Sequence, residues 1–105
     1  MITKETLTSL HRASFRGRKG LESAAHCFCF CCGADFAPSE LDYWVDDETT
    51  ALCPECSIDA VLGDAQTGPE LFTPEVCTAL HNIYFAGHSF EQELARLNGG
   101  EIEES

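Results

Sequence analysis

The sequence predicts a small α+β domain, and three observations point to it. Two cysteine pairs, Cys29/Cys32 and Cys53/Cys56, bracket the middle of the chain. Between them lies an aromatic and β-branched stretch, Tyr43-Trp44-Val45. Outside them, Thr3, Thr73 and Ser89 stand where helix caps are wanted. At 105 residues the chain is sized for one hydrophobic core. Its 44% apolar and 23% charged residues are the balance of a folded protein.

Thr3 caps a predicted helix to about Ala13, with Leu7 and Leu10 on its apolar face beside Ile2 and Ser14. Gly17 and Gly20 read as breaks, with Arg18 and Lys19 in a loop between them, and Leu21–Ala25 as one further helical turn. After the sulfur-rich block from His26 to Gly33, Pro38-Ser39-Glu40-Leu41 reads as a turn and a short helical turn. Tyr43–Val45 and Thr49–Leu52 read as a hairpin around the polar turn Asp46-Asp47-Glu48. Cys53-Pro54-Glu55-Cys56 is expected to open a helix, because proline is tolerated in a first turn and Ile58, Val61 and Leu62 share i, i+3, i+4 spacing. Residues 63–72 read as a loop. Thr73-Pro74-Glu75 starts a helix carrying Val76, Leu80, Ile83 and Tyr84, and Gly87 ends it. Ser89, with Gln92 three residues on, starts a last helix presenting Phe90, Leu94 and Leu97. The expected organisation is one domain over 1–98, with a basic arm over 1–20, a centre at about 27–64 and an acidic tail over 99–105.

The cysteines carry the chemistry. The spacing C-x2-C-x20-C-x2-C is a metal-ligand pattern. Two thiolates three residues apart on a tight turn can share one tetrahedral Zn²⁺ at about 2.3 Å, and four of them close its coordination sphere. The expected ligands are Cys29, Cys32, Cys53 and Cys56, holding one structural zinc ion. A knuckle, an aromatic hairpin and a second pair at a helix start make a treble-clef-like order, flanked by the N-terminal helix and the two C-terminal helices. Cys27 and Cys31 crowd the first pair and are alternative ligands; His26 with Cys27 could form a second site. Cys31 and Cys77 otherwise read as packing residues. Disulfides are disfavoured by the odd count of seven cysteines and by the expected cytoplasmic location.

Catalytic patterns fit poorly. Cys53-Pro54-Glu55-Cys56 has the form of a thiol redox motif, but no βαβ run precedes it. A zinc deaminase needs His-x-Glu followed by Pro-Cys-x-x-Cys, and neither part is present. No histidine falls in residues 33–52 to hold the metal of a treble-clef nuclease. His11, His81 and His88 have no nucleophile at informative spacing, and Asp46-Asp47-Glu48 reads as a solvated turn. The expectation is a protein without enzymatic activity.

Charge bounds the partners. The net charge is −12, which excludes a generally basic nucleic-acid binder. Lys4, Arg12, Arg16, Arg18 and Lys19 nevertheless cluster at the start against Glu5 alone, and Arg96 is the one later Lys or Arg. Arg12, Arg16, Arg18 and Lys19 could touch nucleic acid, or fold back on the acidic remainder. An acidic decoy for the nucleic-acid site of some enzyme is a further alternative. The favoured partner is another protein, with Phe28, Phe30, Tyr43 and Trp44 as candidate anchors; the alternative for each is burial against the zinc core, which is the favoured reading for Phe30 and Trp44. With no run near ~18 apolar residues and no leader pattern, a cytoplasmic location and no membrane partner are expected.

The run His11–Phe85 also resembles a group of small bacterial cysteine-rich zinc-binding proteins. The resemblance rests on Arg18-Lys19, on Cys27-Phe28-Cys29-Phe30-Cys31-Cys32, on Trp44-Val45-Asp46-Asp47 and most specifically on Thr50 to Val61. It continues through Leu62-Gly63-Asp64 into the helix around Leu80–Phe85. Phe28 and Cys31 depart from that pattern, where glycine and tyrosine would stand. The resemblance implies a zinc-binding domain at Cys29, Cys32, Cys53 and Cys56, and it carries no biochemical activity with it.

Overall fold

The computed structural model describes residues 2–99. The acidic tail expected over 99–105 lies outside them apart from Gly99. The chain is α+β: five α-helices and two small antiparallel sheets among the described residues.

Helix α1, Lys4–Ala13, starts as its cap demands, with Thr3 Oγ1 accepting from Thr6 N at 3.2 Å and Thr6 Oγ1 accepting in return from Thr3 N. It buries Leu7 and Leu10, and Ser14 behind them. The expected break at Gly17–Gly20 is instead a second helix, α2, Arg18–Glu22. Gly20 is there because another chain segment comes close: a Cβ at that position would lie 2.5 Å from Cγ of Gln66. The basic segment is thus folded, with Leu7, Leu10 and Leu21 in the core. Removing side chains of that size from water is worth about 1.5–3 kcal/mol each.

The central sheet has the order β2-β1-β5, formed by β1 Cys27–Cys29, β2 Asp35–Phe36 and β5 Val61–Gly63, all neighbours antiparallel. Cys27, Phe28 and Cys29 pair with Gly63, Leu62 and Val61. All of β1 and β5 is buried, so both faces of these strands are covered. Phe28 stacks on Phe72 at 4.8 Å, while α2 and α3 (Asp64–Thr67) pack against β5. The helix expected from Cys53 is absent: residues 54–56 form a turn and Val61–Gly63 a strand. The run Ala60-Val61-Leu62 is fully buried, and a short apolar run of that kind satisfies strand and helix spacing alike. The helix start that a treble-clef-like order needs is therefore not where the sequence placed it. The loop expected over 63–72 contains α3, whose first turn is closed by Gly63 N donating to Gln66 Oε1 at 2.8 Å.

The second sheet is the expected hairpin, β3 Trp44–Val45 with β4 Thr50–Ala51. Its turn holds Asp46, Asp47 and Glu48 at φ 55°, 58° and 65°. Helices α4, Pro74–Phe85, and α5, Phe90–Leu97, pack together. Thr73 caps the first through Val76 N, and Ser89 with Gln92 forms the predicted capping box on the second. After α5 the Asn98 side chain grips the start of the chain: Ile2 N donates to Oδ1 at 3.0 Å and Nδ2 donates to Ile2 O at 2.8 Å. No helix among the described residues is long and apolar enough to cross a membrane.

Candidate metal centre

The pairing of β1 with β5 builds the site. Cys29 ends β1, and the second cysteine pair lies just before β5, so the antiparallel register brings the two C-x2-C turns together. Phe30 N donating to Ala60 O at 2.9 Å continues the pairing beyond the strands.

The two turns repeat each other bond for bond. Cys29 N donates to Ala34 O at 2.9 Å, and Cys53 N to Ile58 O at 3.0 Å. Gly33 N donates to Cys29 O at 2.8 Å, and Ser57 N to Cys53 O at 2.9 Å. Cys31 N points at Cys29 Sγ and Glu55 N at Cys53 Sγ, both at 3.3 Å. The Cys32 and Cys56 amides also favour the thiolates of Cys29 and Cys53, and the Ala34 and Ile58 amides those of Cys32 and Cys56. Each turn is a knuckle whose backbone donors converge on sulfur.

Across the knuckles, Cys29 Sγ lies 3.7 Å from Cys56 Sγ and Cys32 Sγ lies 3.7 Å from Cys53 Sγ. All four sulfurs fall within 4.8 Å of one another. Ligands about 2.3 Å from one ion at tetrahedral corners sit about 3.8 Å apart, so these four sulfurs fit such a sphere. They are not disulfides, since all seven cysteines are free and a sulfur–sulfur bond is about 2.05 Å. The four cysteines are positioned to bind a metal ion.

Electrostatics point the same way. Burial pushes the thiols of Cys29, Cys53 and Cys56 above their ordinary range. Burial also opposes ionisation of Cys32, but the Ala34 amide and the thiols of Cys53, Cys29 and Cys56 outweigh it and hold Cys32 low. A cluster of mostly protonated, packed thiols lacks the charge that would favour ionisation. A bound divalent cation would supply it, because a coordinating thiol is deprotonated outright.

The other cysteines stay outside. Cys27 is fully buried in β1 opposite Gly63, and burial followed by the Asp64 charge pushes its thiol up to about 11. Cys77, in α4, donates to Cys29 O at 3.6 Å, and its burial raises it to about 11. Cys31 lends its amide, not its sulfur, to the site. No second cluster involving His26 and Cys27 forms among the described residues.

The remaining sequence candidates are placed as follows. His11 is half-buried and stacked on Tyr84 at 3.8 Å, and burial lowers its pKa despite Asp59. His81 Nδ1 meets Phe30 O at 3.2 Å, and His88 Nδ1 meets Glu93 Oε2 at 2.8 Å. Glu93 is buried in α5 and also accepts from Asn82 and Arg96. Of the proposed aromatic anchors, Phe28 and Phe30 are core residues and Trp44 is half-covered by Arg18; Tyr43 is 70% exposed. Phe28 faces the core because every position of β1 is sandwiched, and Phe30, just beyond β1, is buried as its sequence alternative has it. Arg18 is held by Glu22 at 2.9 Å and donates to Glu48 O at 2.8 Å. Gly33, the glycine after Cys32, marks in the sequence the turn that aims the first knuckle's amides at sulfur, whereas nothing marks the left-handed Ser57 of the second. No family model, curated protein or solved structure matches the chain.

Proposed function

We propose that this chain is a structural-zinc protein, and that its metal-locked fold serves as a non-enzymatic surface for another protein. The single observation behind the metal assignment is the set of four sulfurs, drawn from two matching knuckles, at tetrahedral spacing. Tetrahedral sulfur coordination suits zinc or iron. Zinc is the choice because four thiolates with backbone donors make a closed site that needs no redox change. Such a sphere leaves no position for water or substrate, which supports a structural role over a catalytic one.

Tyr43 and Val45, both exposed on the β3–β4 hairpin, are the favoured contact residues. The nucleic-acid alternative loses ground because Arg18 is committed to Glu22, Trp44 and the hairpin backbone. Metal analysis of the purified chain tests the proposal: one zinc per chain and sulfur-only coordination are expected. A coloured, iron-loaded chain, or one folded without metal, overturns it. For the partner surface, Tyr43→Ala should abolish crosslinking to a specific protein in extracts of the native cells while leaving the zinc content unchanged.

A further inference from the structure

We propose that Cys32 is the oxidation site of this centre: a small neutral peroxide reaches its thiolate, a Cys32–Cys53 disulfide forms, and the metal is released. This rests on the structural-zinc assignment above.

The four sulfurs are not equally accessible. Cys29 and Cys53 are 0% and 1% exposed, Cys56 is intermediate, and Cys32 is exposed. Cys32 also opens onto a hollow of about 220 Å³ bounded by Cys31, Gly33, Thr78 and His81. Solvent therefore meets the centre at this sulfur first.

Backbone donors sort the sulfurs the same way. The two amides that bond to sulfur at 3.3 Å, Cys31 N and Glu55 N, go to Cys29 and Cys53. Each donor withdraws electron density from a thiolate and blunts its attack on an electrophile. Cys32 and Cys56 are the less restrained pair, and exposure decides between them. The chain's net charge of −12 and the excess negative charge of four thiolates around one dication disfavour anionic oxidants, so a neutral peroxide is the fitting class.

The chemistry balances in two steps. The Cys32 sulfur attacks one peroxide oxygen; the S–O bond forms, the O–O bond breaks, and the leaving hydroxide takes a proton to become water. The Cys53 sulfur, 3.7 Å away, then attacks the Cys32 sulfenic sulfur; the S–S bond forms and the S–O bond breaks, releasing a second hydroxide that is protonated in turn. Two thiolates lose two electrons, and one peroxide becomes two waters. Closing 3.7 Å to about 2.05 Å removes two ligands at once. Cys29 and Cys56 alone cannot complete a tetrahedral site.

The test uses the full chain, first shown to carry one zinc, exposed to hydrogen peroxide with a chromogenic zinc chelator present. Zinc release should accompany a Cys32–Cys53 disulfide in mass mapping, and a sulfenic-acid trap such as dimedone should label Cys32 first. Dithiothreitol plus zinc should restore the original state. Cys32→His, which keeps a fourth ligand but removes the thiolate, should release zinc at least tenfold more slowly, while Cys31→Ser should behave as the parent. Trapping on the unmutated chain decides the matter even if Cys32→His fails to fold. Zinc retained in excess peroxide, or a first adduct on Cys29, Cys31, Cys53 or Cys56, overturns the inference and leaves the zinc assignment standing. A chain isolated without metal overturns both.

Discussion

Ser57 occupies, in the second knuckle, the left-handed position that Gly33 occupies in the first: φ is 64° at Ser57 and 80° at Gly33. Left-handed backbone costs a residue with a side chain roughly 1–2 kcal/mol, which glycine escapes. Against this, glycine adds roughly 0.4–1 kcal/mol of unfolded-state freedom. Ser57→Gly should therefore stabilise the metal-loaded chain by about 0.5–1 kcal/mol. Gly33→Ala should destabilise it by about 0.5–1 kcal/mol, the strain less the same unfolded-state term, with no steric clash added, since a Cβ at Gly33 would meet nothing within 4 Å. Denaturant midpoints of the two variants should move in opposite directions.

Metal loading should release protons. Burial keeps the thiols of Cys29, Cys53 and Cys56 above their ordinary range, so they are protonated at neutral pH without metal, whereas Cys32 is held low. Titration calorimetry in buffers of different ionisation enthalpy should find about three to four protons released per ion near pH 7. Affinity should fall steadily with acidification, because protons compete for each ligand. An affinity flat between pH 6 and 8 would rule out thiolate ligation.

Loss of the ion should undo the β1–β5 region. Structural zinc in small fingers supplies about 10–16 kcal/mol of apparent binding energy, against a typical domain stability of about 5–15 kcal/mol. Cys53→Ser or Cys56→Ser should leave a metal-poor chain. Amide exchange should then quicken at Phe30 and at Val61–Gly63, where backbone bonds join the knuckles to the sheet.

Glu93 should make α4–α5 packing acid-sensitive. Burial opposes its ionisation, yet hydrogen bonds from His88, Arg96 and Asn82 prevail and hold its carboxyl below the ordinary range. A depressed folded pKa means that this contribution is fully present above the unfolded value and lost as pH falls through the folded one. Glu93→Gln should cost about 1.5–3 kcal/mol at pH 7, the worth of hydrogen bonds to a charged group. The gap between variant and parent should narrow progressively below about pH 4.

Arg18→Ala should loosen the β3–β4 hairpin. The guanidinium lies 4.4 Å from the Trp44 ring centroid and is anchored by Glu22. An exposed cation–π contact is worth about 0.5–1 kcal/mol. A small loss of stability and a change in the emission of Trp44, the single tryptophan, are expected.

What was legible in the sequence was local. Thr3, Thr73 and Ser89 marked helix starts because a cap is written within four residues, and the four cysteines were found because ligand spacing is a property of a single turn. What was hidden depended on distant neighbours. Gly20 read as a breaker, yet it sits within α2 because Gln66, 46 residues later, packs over it and donates to Ala13 O at 2.8 Å. Val61 and Leu62 read as helix because their strand character comes from pairing with β1. The site residues were thus readable while the scaffold that joins them was not. The same division explains why Phe28 read as a surface anchor.

The clasp of Asn98 on Ile2 sets the two ends of the described chain side by side. Covalent order and spatial order are therefore separable in this molecule. A short glycine–serine link from Gly99 to Ile2, with new termini opened at Asp47 in the exposed left-handed turn, would give a circular permutant with both knuckles intact. Surface sites of that kind are where such rearrangement succeeds. The cut would also relieve backbone strain at Asp46, Asp47 and Glu48, so the permuted chain should fold with its four site cysteines together and take up zinc as the parent is expected to.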